Sequence, residues 1–140
     1  MVALEPFAAK TGVELRAELA PGLPPCELDA DLLSRALQNL IRNALEAMPK
    51  GGMLTVRTAL GVDASADRII VSVEDQGEGM DPRQAERAFD EFYTTKPTGS
   101  GLGLAFVRRV ARAHGGDASL SSRVGVGTIV EMRLPLGARG

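Results

Sequence analysis

The sequence predicts an α/β two-layer sandwich, a mixed sheet of five to six strands packed against three helices. Three observations carry this expectation. Residues 13–20 alternate apolar and polar side chains as a half-buried strand does, and further strand-like segments lie at 54–59, 69–75, 118–122 and 128–135. Residues 31–48 repeat their apolar side chains at helical spacing, and caps and closing glycines mark two more helices. The resulting order, β β α β β α α β β, leaves each layer with one apolar side that has to be buried against the other. With 140 residues, 44% of them apolar and 24% charged, the chain has the size and composition of one globular domain with a real core.

VELRAELA (13–20) is stopped by PGLPP, and a short strand at 26–28 is expected to follow. Asp29 is placed to cap a helix over 31–48, in which Leu33, Ala36, Leu37, Leu40, Ile41, Ala44 and Met48 form the apolar stripe. Pro49, Gly51 and Gly52 end it. LTVRTA (54–59) and IIVSVED (69–75) then read as a hairpin across a polar loop at 61–67. DPRQAERAF (81–89) begins with an Asp cap and a proline at the first helical position, the signature of a short helix. DEFYTTKPTGS (90–100) has no apolar period and contains Pro97 and Gly99, so it is expected to be a mobile loop. A helix over 101–113, closed by Gly115 and Gly116, leads into the strands ASLSS (118–122) and TIVEMRLP (128–135), which a tight GVG turn joins.

A formal net charge of -2 and a pI near 5.4 speak against nucleic acid or an anionic membrane as the partner, since either needs a clustered basic surface. Arg108, Arg109 and Arg112 cluster, but on a helix they read as a solvated face. Cys26 is the single cysteine, which excludes an internal disulfide or a cysteine metal cluster and suits a reducing compartment. No apolar run approaches the roughly 18 residues of a membrane span, and no signal-like N-terminus is present. A cytoplasmic location is expected, with no direct membrane contact by this domain, whatever anchors a parent protein.

Asn39 and Asn43 are four residues apart on one face of the first helix, at the edge of its apolar arc. An amide oxygen there suits a hard cation such as Mg²⁺, which keeps several waters and is shared with nucleotide phosphates. Asp75, Gly77 and Gly79 in VEDQGEGM leave a strand end, where the glycines let backbone approach a flat ligand and, if that ligand is a purine, a fixed carboxylate suits the exocyclic amino group of adenine. Gly99, Gly101 and Gly103 in TGSGLGLAF precede or open a helix, whose free N–H groups and macrodipole attract phosphate. A dinucleotide fingerprint is excluded because its third glycine falls at Leu104 and no strand precedes it, and no GxxxxGK[ST] segment exists. Thr94, Thr95 and Lys96, in the loop before those glycines, bring two hydroxyls and an ammonium within reach of a terminal phosphate.

In order, NLIRNALEAM, VEDQGEGM, FDEFYTTK, GSGLGLAF and GVGT closely resemble the N, G1, F, G2 and G3 boxes of bacterial sensor histidine kinases, over residues 29–135. The pattern TTK…GSGLGL…HGG is similar to the nitrogen-regulator type. The wider superfamily of similar folds includes DNA gyrase B, mismatch-repair ATPases and the heat-shock chaperone. The resemblance implies a Bergerat-type ATP site over residues 13–137, with residues 1–12 as the tail of a linker from a missing dimerisation and phosphoacceptor region. It implies Asn43 as the Mg²⁺ ligand, Asn39 near metal and phosphates, and Asp75 on the adenine amino group. Gly77, Gly79 and Met80 would line the base pocket. Gly99, Ser100 and the backbone of Gly101, Leu102, Gly103 and Leu104 would hold phosphate, with Thr94, Thr95 and Lys96 at its terminal groups. Thr128 would support adenine through water, and Phe89 and Phe92 would anchor the lid.

The implied catalytic residues are Asn39 and Lys96, the cofactors ATP and Mg²⁺, and the reaction γ-phosphate transfer to a histidine on a separate dimerisation domain of the same kinase. A response regulator would follow indirectly. Two departures stand out: Glu46 and Ala47 occupy places where many members carry Lys and Tyr, and Asn39 stands where gyrase-like ATPases have a general-base Glu, so hydrolysis is expected to be slow. His114, the one histidine, is followed by Gly115 and not by an acidic residue, and is read as a helix-end residue and not the acceptor. The alternative of another class is an anti-sigma-factor-like ATP-binding module. A chaperone- or topoisomerase-like ATPase is disfavoured by Asn39.

Overall fold

The computed structural model of the protein describes residues 12–20, 28–62, 67–90 and 103–136. Its elements run β1 (Val13–Leu19), α1 (Ala30–Glu46), β2 (Gly52–Val62), β3 (Asp67–Asp75), α2 (Pro82–Arg87), α3 (Gly103–Ala113), β4 (Asp117–Arg123) and β5 (Gly127–Pro135). The five strands form one sheet in the order β1-β2-β3-β5-β4. β1 pairs parallel with β2 and every other pair is antiparallel, so the sheet is mixed, as the pattern predicts. Two expectations shift. The β2–β3 hairpin extends further into its loop than 59 and 69, reaching Val62 and Asp67. Leu28 lies in no strand, and the rest of the short strand expected at 26–28, like the loop at 91–100, falls outside the described residues.

The core lies between one face of the sheet and the antiparallel pair α1 and α3. Ala36, Leu40, Ile41 and Ala44 on α1, and Ala105, Val107, Val110 and Ala111 on α3, are buried at helical spacing. Leu54 and Val56 of β2, Val73 of β3 and Val130, Met132 and Leu134 of β5 meet them, every second residue along each strand. Small Ala side chains at the helix contacts let the helices sit close to the sheet, and the larger Leu, Ile and Met fill the remaining volume. α2 has no buried residue and lies beside this core.

The helix ends are tied by specific bonds. The Asp29 side chain accepts from Leu32 N–H at 3.0 Å, capping α1 as expected. Asp81 and Gln84 form a reciprocal capping box on α2, with proline in its first turn. His114 does more than finish α3. Its Nε2 accepts from the Asp29 backbone N–H at 3.0 Å, so its proton sits on Nδ1 and donates to the Val110 carbonyl at 2.8 Å. One imidazole thus fastens the end of α3 to the start of α1.

The arginine cluster is only partly a solvated face. Arg108 lays its guanidinium 4.4 Å from the Phe89 ring centre, and Arg108 and Arg112 both reach Asp117 at 3.3 Å. The Ala118 N–H, followed by Arg112 and Arg108, holds the Asp117 carboxyl below its usual range. On the outer sheet face Arg57 bridges Glu18 and Glu74, joining β1, β2 and β3 through exposed charges.

Candidate functional site

Among the described residues, Asn39, Asn43, Asp75 and Thr128 collect at one end of the sandwich, where β3 ends, β5 begins and α3 starts. The antiparallel packing of α1 and α3 brings the second half of α1 against the first turn of α3. A Cβ built on Gly103 would lie 3.5 Å from Asn43 Nδ2 and 3.8 Å from its Oδ1, so the Asn43 amide faces the opening of α3 directly. Asn39 lies one turn earlier on α1 and is, like Asn43, half-buried. That combination is unusual for a plain surface residue. The amides sit beside the apolar stripe, next to backbone N–H groups that the first turn of α3 leaves without intrahelical partners.

Asp75 closes β3 and is 8% exposed, one of three buried polar or charged residues among those described. Its Oδ1 accepts from Gly77 N–H at 2.9 Å and from Thr128 N–H at 3.3 Å. These bonds fix the carboxylate at the sheet end and aim it by main-chain contacts on both sides, one on its own loop and one on β5. Thr128, 7% exposed, sits directly across from Asp75 in the β3–β5 register.

The loop after Asp75 is moulded between α1 and β4. A Cβ on Gly77 would come within 2.5 Å of the Ala47 carbonyl, and Glu78 N–H donates to that carbonyl at 3.3 Å. Ala47 therefore carries a structural contact: the loop crosses directly over its carbonyl and its Cβ, which leaves no room for a side chain at position 77. Gly79 has φ +72° and leaves only 2.0 Å between a built Cβ and the Arg123 carbonyl, so position 79 admits no side chain. Gly125 N–H donates to the Glu78 carbonyl at 2.8 Å, and Met80 N–H donates to Ser122 Oγ at 2.8 Å, pinning the loop to the β4–β5 turn. Gly79→Ala is expected to cost about 2 kcal/mol, because left-handed strain and a clash with rigid backbone act together; a denaturant midpoint equal to that of the wild type would refute this packing.

Ser122 escaped the sequence reading. The available signal was its place at an inward position of ASLSS, where the alternation has Ala118 and Leu120 apolar. Its Oγ lies 2.7 Å from Thr128 Oγ1 and donates to the Gly127 carbonyl at 3.2 Å. Leu104, expected to serve through its backbone, also packs its side chain against the core. Thr94, Thr95, Lys96, Phe92, Gly99, Ser100, Gly101 and Leu102 lie outside the described residues.

No group of three or more His, Cys, Asp or Glu suited to a metal occurs among the described residues. Asn43 offers one amide oxygen at the mouth of α3. That donor set fits a cation which keeps its waters and is completed by a ligand's own oxygens, and not a cage built by the protein. Among the described residues no helix is long and apolar enough to cross a membrane.

The sequence and the fold are similar to those of known proteins. Residues 28–138 match the family model described as histidine kinase-, DNA gyrase B- and HSP90-like ATPase. The sensor histidine kinase ZraS of Salmonella typhi is 36% identical over 127 residues, covering 91% of this chain and 27% of that protein. The histidine-protein kinase AtoS of Escherichia coli is 33% identical over 140 residues, covering all of this chain and 22% of that one. The chain thus spans about a quarter of the length of these curated relatives. Among solved structures, full-length ShkA in complex with AMPPNP superposes with a TM-score of 0.84 at 28% identity, over 99% of this chain and 29% of that one. A nucleotide-free catalytic domain of the histidine kinase ThkA gives 0.82 at 26% identity, over 96% and 88%.

Proposed function

Because the chain belongs to the histidine kinase-, DNA gyrase B- and HSP90-like ATPase family, we propose that it is the ATP-binding catalytic domain of a two-component sensor histidine kinase. The observation that supports this best is the coincidence of three features at one end of the fold. A buried carboxylate at Asp75 is aimed by two main-chain N–H groups, Thr128 stands beside it, and the Asn43 amide faces the start of α3. In this reading Asp75 accepts from the adenine amino group, while Gly77, Gly79 and Met80 shape the base pocket. Thr128 supports the base through water, and the N–H groups around Gly103 and Leu104 take phosphate. Asn43 would supply an oxygen to Mg²⁺, with Asn39 near the same phosphates, and the cation, when bound, would neutralise phosphate charge. Lys96, with Thr94 and Thr95, is assigned to the terminal phosphates from the sequence resemblance.

The reaction would break the bond between the γ-phosphorus and the β,γ-bridging oxygen, release ADP and form a P–N bond to a histidine on a partner dimerisation domain. This domain's contribution is positioning and charge neutralisation, which is most of what phosphoryl transfer requires of an enzyme. Asn39, unlike a glutamate, cannot take a proton from water, which suits transfer over hydrolysis. A cytoplasmic site of action, a response regulator downstream and the nitrogen-regulator type belong to the same proposal; the last rests on the TTK…GSGLGL…HGG pattern alone. The anti-sigma-factor-like alternative has no observation in its favour beyond the shared site.

His114 is not the acceptor in this scheme, since both its nitrogens are engaged, Nε2 by Asp29 N–H and Nδ1 by the Val110 carbonyl. Incubated alone with γ-labelled ATP and Mg²⁺, the chain is expected to bind nucleotide yet gain almost no acid-labile phosphate. Adding the cognate dimerisation hairpin should restore transfer weakly, because a separate partner lacks the effective concentration of a tether. Strong labelling of the chain alone that His114→Ala removes would overturn the proposal.

A further inference from the structure

Asp75 on β3, Thr128 on β5 and Ser122 on β4 stand opposite one another in register and form one polar row across three strands. The next row on the same face is Val73, Val130 and Leu120, so the polar row is confined to the sheet end that faces the candidate base pocket. A serine hydroxyl has one proton to donate and two lone pairs to offer. Ser122 uses a lone pair on Met80 N–H at 2.8 Å, and its own proton is aimed at the Gly127 carbonyl, 3.2 Å away. With that proton on the Gly127 carbonyl, Thr128 Oγ1, 2.7 Å from Ser122 Oγ, is assigned as the donor of their shared bond. Each capacity of Ser122 is filled by this assignment, and the Thr128 oxygen is left with lone pairs alone.

We propose that Ser122 is a positioning residue for purine selection: by taking the Thr128 hydroxyl proton it fixes the Thr128 oxygen as an acceptor beside the Asp75 carboxylate. The Asp75 carboxylate and the Thr128 oxygen then stand side by side as two acceptors. A 6-amino purine donates directly to such a pair, whereas a 6-oxo purine sets acceptor against acceptor and has to be met through an interposed water. The inference rests on the ATP-site reading above and adds to it a residue that touches no ligand and acts through Thr128. Without Ser122 the Thr128 hydroxyl turns freely and can donate, which removes part of the penalty on the oxo base.

Affinities for ATP and for inosine triphosphate, which differs in bearing the 6-oxo group without a 2-amino group, test this by titration calorimetry with Mg²⁺. Wild type is expected to favour ATP. Ser122→Ala is expected to shrink the ATP-to-ITP ratio by about tenfold, the worth of one such hydrogen bond, and Ser122→Thr to restore it. Should the alanine variant fail to fold, Ser122→Cys, which keeps the volume but accepts weakly, carries the same expectation. A ratio that stays at the wild-type value in these variants, even with both affinities lowered, overturns the role of Ser122 and leaves the ATP site standing. Wild-type protein that binds neither nucleotide overturns both.

Discussion

Asp75→Asn is expected to weaken ATP binding about a hundredfold or more, while the protein keeps its fold. The two main-chain N–H groups that hold Oδ1 can be served equally by an amide oxygen, so the local bonds from Gly77 and Thr128 survive the change. In the proposed site the other side of the group is altered in kind: an NH₂ donor would replace a charged acceptor and face the donating amino group of adenine. Loss of a charge-assisted hydrogen bond together with a donor facing a donor costs about 3 kcal/mol or more, which is the stated factor. Titration calorimetry of the folded variant measures it. A dissociation constant equal to the wild-type value would remove Asp75 from the adenine site.

Asn43→Ala is expected to abolish the response of nucleotide affinity to Mg²⁺. Asn43 is half-buried beside the stripe formed by Ala36, Leu40 and Ala44, so its truncation opens no large cavity and the helix gains a better helix former. What is lost is the side-chain oxygen at the mouth of α3, where a cation shared with the phosphates would be held. Titrations in Mg²⁺ and in EDTA should therefore converge for this variant and differ for wild type. A variant that responds to Mg²⁺ as wild type does would place the metal on other groups. The same experiment on Asn39→Ala separates a residue near the phosphates from the direct ligand.

Gly79, Gly77 and Ala47 show why a weak motif became informative in three dimensions. In the sequence, D-x-G-x-G is compatible with an ordinary turn. In the fold, Gly77 lies against the Ala47 carbonyl and Gly79 against the Arg123 carbonyl. The loop is clasped between the end of α1 and the β4–β5 turn, which keeps its backbone, and with it Asp75, in one place.

The residues that the sequence alone determined are those governed by local rules. Asp29 and Asp81 cap helices because their side chains reach N–H groups a few residues on, and the alternation in TIVEMRLP settles which side of β5 is buried. The five boxes, read as a series, carried the family. Three things were decided only by tertiary structure: the hydrogen bonds of Ser122, the double engagement of His114 and the packing of Arg108 over Phe89. Each depends on contacts between residues distant in the chain, such as Ser122 with Met80 or His114 with Asp29, 85 positions apart. A hydroxyl, an imidazole or a guanidinium carries no periodic signal of its own. Its partners are set by strand register and by the antiparallel seating of α1 on α3, and these follow from burial of the whole apolar face and not from any local stretch of sequence.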